Sequence, residues 1–307
     1  MAHNAHMSPL LNLTPAQLET FLIHVVPHHR QLGMRSVSCR EGGMRIDLPW
    51  SERLAAGPSG GIHHGAITTL IDALSGSVVL TRMRDFRRSA TLDLRMDFLR
   101  PALQGQDIHG EAEVLHMDGN VAFTRAVAHH GDAADPVAVS NGCFAVFKGN
   151  TGDPLSELTA PVSPFTPYEP APAAADANPL QRVFDSSPYA RMMDFFVTQN
   201  EGQVTGGFRY GPHLIGNPVL RTLHGGGVAS LLSFTAAAQL MMQTGRMALP
   251  RLFNLNLEFL RQSASADAYA RATVISCTRR FANVRVMAYQ DESDQPITVA
   301  TAQFALI

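Results

Sequence analysis

A block of twelve residues occurs twice in this chain, and the repeat constrains the fold more than any other feature. The first copy reads Gly61-Ile62-His63-His64-Gly65-Ala66-Ile67-Thr68-Thr69-Leu70-Ile71-Asp72. The second reads Thr222-Leu223-His224-Gly225-Gly226-Gly227-Val228-Ala229-Ser230-Leu231-Leu232-Ser233. A shift of 161 positions lays His63 on His224, Gly65 on Gly226, Leu70 on Leu231 and Asp72 on Ser233. The same shift lays Asp97-Phe98-Leu99-Arg100 on Glu258-Phe259-Leu260-Arg261. Two blocks in register at one offset identify a duplicated domain, and 307 residues leave each copy room for its own core.

Each copy begins with a glycine-bearing turn that runs into an apolar helix. In the first, Ile67, Leu70, Ile71, Leu74 and Val78 recur at helical spacing and form one buried stripe. The opposite face (Ala66, Thr69, Ala73, Gly76, Ser77) is small instead of charged, so it too packs against something. Asp72 is the exception, because an unpartnered carboxylate in such a helix is costly.

The surrounding pattern predicts the rest of each unit. Met1 to Leu13 reads as disordered, and Thr14-Pro15 as a helix start with Pro at the first helical position. That helix runs through Phe21, Leu22 and Val25 to Pro27. Residues 34–39 and 44–48 read as a hairpin around Glu41-Gly42-Gly43. Strands follow the His63 helix at 91–99, 107–116, 121–129 and 138–147. In the first of these, Leu92, Leu94, Met96 and Phe98 take one face, and Thr91, Asp93, Arg95 and Asp97 the other. The second unit repeats the order: a helix from Leu180, strands at 192–198 and 203–210, the His224 helix, then strands from Leu252 onward and at 269–277, 282–289 and 297–306. The domains are therefore placed at 14–149 and 180–307. Between them, 150–179 is a Pro/Ala-rich linker, semi-rigid and extended, able to cross a whole domain at ~3 Å per residue.

Composition excludes several classes. The net charge is -2 with no Lys/Arg-rich run, so no nucleic-acid footprint is expected. Cys39, Cys143 and Cys277 are widely spaced and lack a CxxC partner; they read as buried or half-buried thiols in a reducing compartment. No His/Cys/Asp cluster has metal-ligand spacing. No signal pattern opens the chain, and no apolar run approaches the roughly 20 residues that span a bilayer. The expectation is a cytoplasmic protein with no membrane partner.

A long central helix entered through a His-Gly turn and wrapped by an antiparallel sheet resembles the hotdog fold. More narrowly, His63 with Asp72 nine residues on, Ala90-Thr91-Leu92-Asp93 and Asp97-Phe98-Leu99-Arg100-Pro101 resemble the phenylacetyl-CoA thioesterase-type (PaaI-like) acyl-CoA thioesterases. Gly216-Asn217-Pro218 and Leu223-His224-Gly225-Gly226 are similar to the other half of that signature. The resemblance implies an α+β fold of two tandem hotdog domains packed as a pseudo-dimer, with acyl-CoA as substrate and no cofactor beyond the coenzyme A that the substrate carries.

It also implies a division of labour. One hotdog supplies an Asn and the His-Gly-Gly turn that hold the thioester carbonyl, here Asn217, His224, Gly225 and Gly226. The other supplies a helix carboxylate and a hydroxyl that direct water, here Asp72 and Thr91. The reverse combination is broken: Ser233 stands at the carboxylate position, Leu252 at the hydroxyl position and His64 at the first glycine, and the loop before His63 has no Asn. One competent composite site and one degenerate site per chain are expected. Asp72 would be a general base or a nucleophile with a raised pKa, His224 a brace for the turn, and His63 and His64 structural remnants. The same residues also admit plainer roles: a satisfied helix carboxylate, a strand threonine, an Asn-Pro turn and a helix-entry turn. Arg84, Arg87 and Arg88 would meet coenzyme A phosphates or form a solvated face. A non-catalytic acyl-CoA binding or sensing protein is the alternative, and a hotdog hydratase or dehydratase a further one. A homodimer or higher oligomer through the outer sheet faces is expected as well.

Overall fold

The computed structural model describes residues 8–57, 60–85, 87–147, 164–174, 176–291 and 295–306. The first unit opens with α1 (Pro15–Glu19), whose N-terminus carries a reciprocal capping box between Thr14 and Gln17. A π turn over Thr20–His24 leads to α2 (Pro27–Leu32), which Gly33 ends in the left-handed conformation at φ 74°. Then come β1 (Arg35–Arg40), β2 (Gly43–Leu48), the central helix α3 (His64–Leu80), and β3 (Ser89–Phe98), β4 (Ile108–Met117), β5 (Val121–His129) and β6 (Ala138–Val146).

The second unit contains α4 (Pro179–Asp185), α5 (Pro188–Met192), β7 (Phe195–Asn200), β8 (Gln203–Phe208), a small hairpin β9 (Ile215–Asn217) and β10 (Thr222–Leu223), and the central helix α6 (Gly225–Thr244). Strands β11 (Arg251–Phe259), β12 (Ala268–Cys277), β13 (Phe281–Tyr289) and β14 (Thr298–Ala305) complete it.

Twelve strands form one antiparallel sheet in the order β1-β2-β4-β5-β6-β3-β11-β14-β13-β12-β8-β7. The order is the same read from either end once each strand is exchanged for its repeat partner. The seam is β3 against β11, where Arg95 pairs with Asn256, its own counterpart at the offset of 161. A pseudo-twofold axis therefore passes through that pair. Two tandem hotdog domains share the sheet, and α3 and α6 pack on each other beneath it.

One hydrophobic core runs through both units, from Leu70, Ile71 and Leu74 of α3 to Leu231, Leu232 and Phe234 of α6. Helix α6 corrects one expectation. Its 20 residues are long and apolar enough to cross a membrane, but nearly all of the helix is buried inside the protein. Its run of small residues (Ala236, Ala237, Ala238) lets neighbouring elements come close and makes it a core helix.

Other expectations change as well. Ser8 to Asn12 is ordered: Pro9–Asn12 forms a 3-10 turn, Leu10 is fully buried, and the Ser8 hydroxyl donates to the Leu80 carbonyl at 2.7 Å. Met192 belongs to α5, not to a strand, because Ser187 caps a turn that Pro188 begins. Cys277 is exposed, while Cys39 and Cys143 are half-buried; all three are free thiols. Of the linker expected at 150–179, residues 150–163 and 175 lie outside the described residues. Farther along, Tyr168 is tied to the first unit: its N–H donates to Gln31 Oε1 at 2.9 Å, and its carbonyl accepts from Gln31 and Arg53.

Candidate active site

The two helix starts meet because glycine allows it. A Cβ on Gly226 would lie 2.3 Å from the Thr69 Cα, and one on Gly65 would lie 2.5 Å from the Ser230 hydroxyl. These contacts are one contact repeated by the pseudo-twofold axis, since Ser230 is the counterpart of Thr69. Each helix is capped by its own histidine, His63 Nδ1 accepting from Gly65 N–H at 2.9 Å and His224 Nδ1 from Gly226 N–H at 3.0 Å. The first turn of α6 is thus delivered to the flank of α3, where Asp72 stands.

Asp72 is 7% exposed. Its Oδ1 accepts from the Thr91 hydroxyl at 2.9 Å, and its Oδ2 from Gly226 N–H at 3.0 Å. Burial pushes its pKa up from 3.8 to about 6, against the opposing pull of those two hydrogen bonds. The carboxylate sits on positively polarised amides at a helix N-terminus, close to the charge balance of neutral pH.

Thr91 reaches Asp72 through a departure from regular strand geometry. Strict alternation puts Thr91 on the same face as Asp93, Arg95 and Asp97. In the structure Thr91 pairs with Phe144 and Asp93 with Cys143, so Leu92 is an extra residue, a β-bulge. The bulge reverses the parity of everything before it. Thr91 turns inward to α3, and Leu92, expected on the buried face, is 40% exposed.

Behind Gly226 lies a hydrogen-bonded chain that sequence reasoning missed. His29 Nδ1 is 2.7 Å from the Leu22 carbonyl, and His29 Nε2 is 2.8 Å from His224 Nε2. A carbonyl only accepts, so His29 Nδ1 carries the proton and its Nε2 accepts. His224 Nε2 then donates, which leaves His224 Nδ1 free of a proton to receive Gly226 N–H. Both rings are neutral in this chain; desolvation lowers His29 to about 4 and His224 well below its usual value. The 3.5 Å approach of His224 Nδ1 to Asp72 Oδ2 is therefore no ion pair: two acceptors share one amide. Nothing in the spacing of His29, 195 residues from His224, signals the contact. Tyr189 was missed too. Its ring stacks on His63 at 4.9 Å and its hydroxyl meets Ser230 at 2.9 Å.

The remaining expected residues divide between this contact and other parts of the fold. Gly225 is in place, where a Cβ would fall 2.6 Å from Asp72 Oδ2. Asn217 holds the loop before α6: its Oδ1 accepts from Val219 N–H at 3.0 Å and Leu220 N–H at 2.9 Å. None of its described hydrogen bonds reaches Asp72 or Gly226. Arg84 and Arg88 are exposed in the segment leading to β3, and Arg87 pairs with Asp85 at 2.7 Å.

The counterpart position keeps the histidine cap and its glycine (His63, Gly65) but differs at three other residues. Ser233 replaces Asp72, Leu252 replaces Thr91, and His64 replaces Gly225, with His64 Nε2 3.2 Å from the Ser233 hydroxyl. A cavity of about 170 Å³ opens here, between the units.

Comparison with known proteins bears on both halves. Residues 59–137 match the family model of the thioesterase superfamily, and residues 217–305 that of the acyl-CoA thioesterase N-terminal domain. Among solved structures, the TesB protein of Mycobacterium avium subspecies paratuberculosis is similar over 91% of this chain and 98% of its own, at 12% identity and a TM-score of 0.60. A conserved protein with a hot dog fold from Alicyclobacillus acidocaldarius is similar over 96% of this chain and 99% of its own, at 10% identity and a TM-score of 0.53. A Pseudomonas aeruginosa protein is 36% identical over 46% of this chain and 100% of its own, with a TM-score of 0.40. No curated relative matches.

Proposed function

We propose that this chain, a tandem hotdog protein with a thioesterase-family domain in each half, hydrolyses acyl-CoA thioesters at one composite site between its units. The observation that carries the reading is the Asp72 carboxylate of one unit on the Gly226 amide of the other, with Thr91 on its second oxygen. Water attack on a thioester needs a base near neutrality, a donor for the carbonyl oxygen and a group that orients the water. The three residues match these needs.

In the free protein Gly226 N–H is occupied by Asp72 and His224. An incoming thioester carbonyl takes that donor and displaces Asp72 Oδ2. Losing a hydrogen bond that favours the charged form makes the carboxylate more basic as the substrate arrives. Asp72 then removes a proton from a water held by Thr91, and the hydroxide adds to the carbonyl carbon. The oxyanion rests on the first-turn amides of α6, where the helix dipole adds to the hydrogen bonds. The C–S bond breaks, and the coenzyme A thiolate leaves with the proton that Asp72 took. Direct attack by Asp72, through a mixed anhydride, uses the same atoms.

His224 and His29 act on this chemistry only by fixing the Gly226 amide. Asn217, its Oδ1 committed to the loop, would have its amide group left as a further donor for the carbonyl. Arg88, one residue before β3, with Arg84 and Arg87 nearby in the chain, would offer cations to the phosphates of coenzyme A. The PaaI-like subtype fits this division of residues between units, and a cytoplasmic location fits the free thiols.

The test is release of free thiol from a panel of aliphatic and aromatic acyl-CoAs, by wild type and by Asp72→Asn. Hydrolysis that falls at least a hundredfold in the variant supports the reading. Unchanged hydrolysis removes Asp72 from the mechanism, and binding without turnover in the wild type makes the chain an acyl-CoA binding protein.

A further inference from the structure

The pseudo-twofold axis gives every residue position of the Asp72 site a counterpart, and the cavity of about 170 Å³ lies at that counterpart. Its walls come from both units: Ile67 and Phe98 from the first, and Phe234, Ala237, Leu252 and Phe304 from the second. His64 and Ser233 form its polar end, and Arg100 and Arg251 stand among its lining residues. We propose that this second pocket binds the acyl group of an acyl-CoA without hydrolysing it. The proposal rests on the reading of the chain as an acyl-thioester protein, but not on Asp72.

The exchanges between the two sites are matched in size and chemistry. Gly225 leaves room for Asp72; His64, at the glycine's counterpart, faces the smaller Ser233. Thr91 is brought inward by the bulge at Leu92, and Leu252 is brought inward in the same way by a register shift at Phe253. A hydroxyl that would orient water has become an apolar wall. Among the described residues, no carboxylate lines the cavity. The hydrogen bonds also commit one nitrogen of the histidine. With the Ser233 hydroxyl donating to the Ser230 carbonyl at 3.0 Å, its oxygen accepts from His64 Nε2–H at 3.2 Å. A protonated Nε2 cannot take a proton from water or serine. It can donate to a carbonyl oxygen.

Size sets the class of guest. An apolar cavity of about 150 Å³ holds a benzene-sized molecule, so this one suits a short aliphatic chain or a single ring. The charge at the rim suits the rest of the ligand. Arg100 is paired with Asp135, whereas Arg251 donates to the Leu99 carbonyl at 2.9 Å, and no carboxylate pairs with it among the described residues. A phosphate-bearing tail leaving the pocket would meet that cation. The chain would thus carry one site that turns over acyl-CoA and one that senses it.

The experiment counts ligands on the full chain. Titration calorimetry uses S-(2-oxopentyl)-coenzyme A, a ketone thioether that keeps the carbonyl and cannot be hydrolysed, against wild type and Ala237→Phe. The expected result is two equivalents bound by wild type and one by the variant, whose added ring fills the cavity. One equivalent for both proteins would overturn the proposal and leave the Asp72 site standing. One for wild type and none for the variant would support the pocket and sink the Asp72 reading; none for either would sink both. Because the added ring can compromise folding, wild-type crystals with 4-bromophenacyl-coenzyme A provide a second readout. Bromine density between Ile67 and Phe304 is expected, and bromine only beside Asp72 would refute the second pocket.

Discussion

The carboxylate of Asp72 and the amide of Gly226 are 154 residues apart in the chain and 3.0 Å apart in the fold. One lies on the flank of a helix from the first unit, and the other in the first turn of its repeat. Neither unit alone holds both halves of the contact, and the chemistry proposed for the chain depends on it.

Activity should follow the titration of Asp72. In the proposed mechanism the carboxylate form is the competent one, and its pKa is raised to about 6. In buffers from pH 4.5 to 8.5, kcat/KM should rise with pH, reach half its plateau near pH 6 and stay flat above pH 7. A rate already maximal at pH 5 would exclude this carboxylate as the base.

Thr91→Val removes the hydroxyl that donates to Oδ1. That bond lowers the Asp72 pKa, so its loss moves the half-maximal pH upward and reduces the plateau about tenfold. A pH profile compared with wild type checks both effects. A rate loss with an unmoved midpoint would make Thr91 a packing residue only.

Asp72 should cost the fold stability at neutral pH. Its folded pKa lies above its unfolded value of 3.8, so the stability it lends is fully present below about pH 4 and is lost as pH rises through 6. Asp72→Asn removes this penalty, on the order of 3 kcal/mol for a shift of about two pKa units. Thermal melts should therefore show Asp72→Asn more stable than wild type at pH 7.5, with the gap closing at pH 4.5. A variant less stable at pH 7.5 would contradict the raised pKa.

The two glycines of the turn should fail in different ways. Ala at 226 meets the Thr69 backbone at 2.3 Å, where nothing flexible can yield, and should destabilise the protein by about 1–3 kcal/mol or more. At 225 an added Cβ meets the Asp72 carboxylate at 2.6 Å, so Gly225→Ala should lower turnover more than it lowers melting temperature. Equal stability losses would argue that both glycines serve packing alone.

Acid should unfold the protein through its histidines. His28 and His64 are lowered to about 3 and His29 and His213 to about 4 by burial, and His63 and His224 lie well below their usual value. For such groups the unfolded chain takes up protons first, so the stability they lend is present above 6.5 and lost as pH falls toward 4. Asp72 opposes this with a single proton. Denaturant unfolding between pH 6.5 and 5 should show a net uptake of several protons, and an uptake of one or none would refute it.

Some of this was legible in the chain because it depends on local chemistry. The offset of 161 gives the duplication, the His-Gly turns give two helix starts, and period-two alternation gives most strands. The same offset places Ser233 and Leu252 opposite Asp72 and Thr91, so the imbalance between the two sites was readable before any coordinates. Leu10 was misread because an apolar residue in a polar tail carries no period. The membrane length of α6 was missed because glycines and serines interrupt its hydropathy.

Sequence alone determined which residues exist in duplicate and which pair kept a carboxylate, since repeat and residue identity are properties of the string. Tertiary structure decided what meets what. The bulge at Leu92 turns Thr91 inward, and no alternation rule announces a change of parity. The proton order from Leu22 through His29 and His224 to Gly226 follows from burial and short distances between segments far apart in the chain. The cavity at Ser233 exists because two units pack with unequal side chains across one axis. Packing is a relation between surfaces, and it has no value until both surfaces are folded.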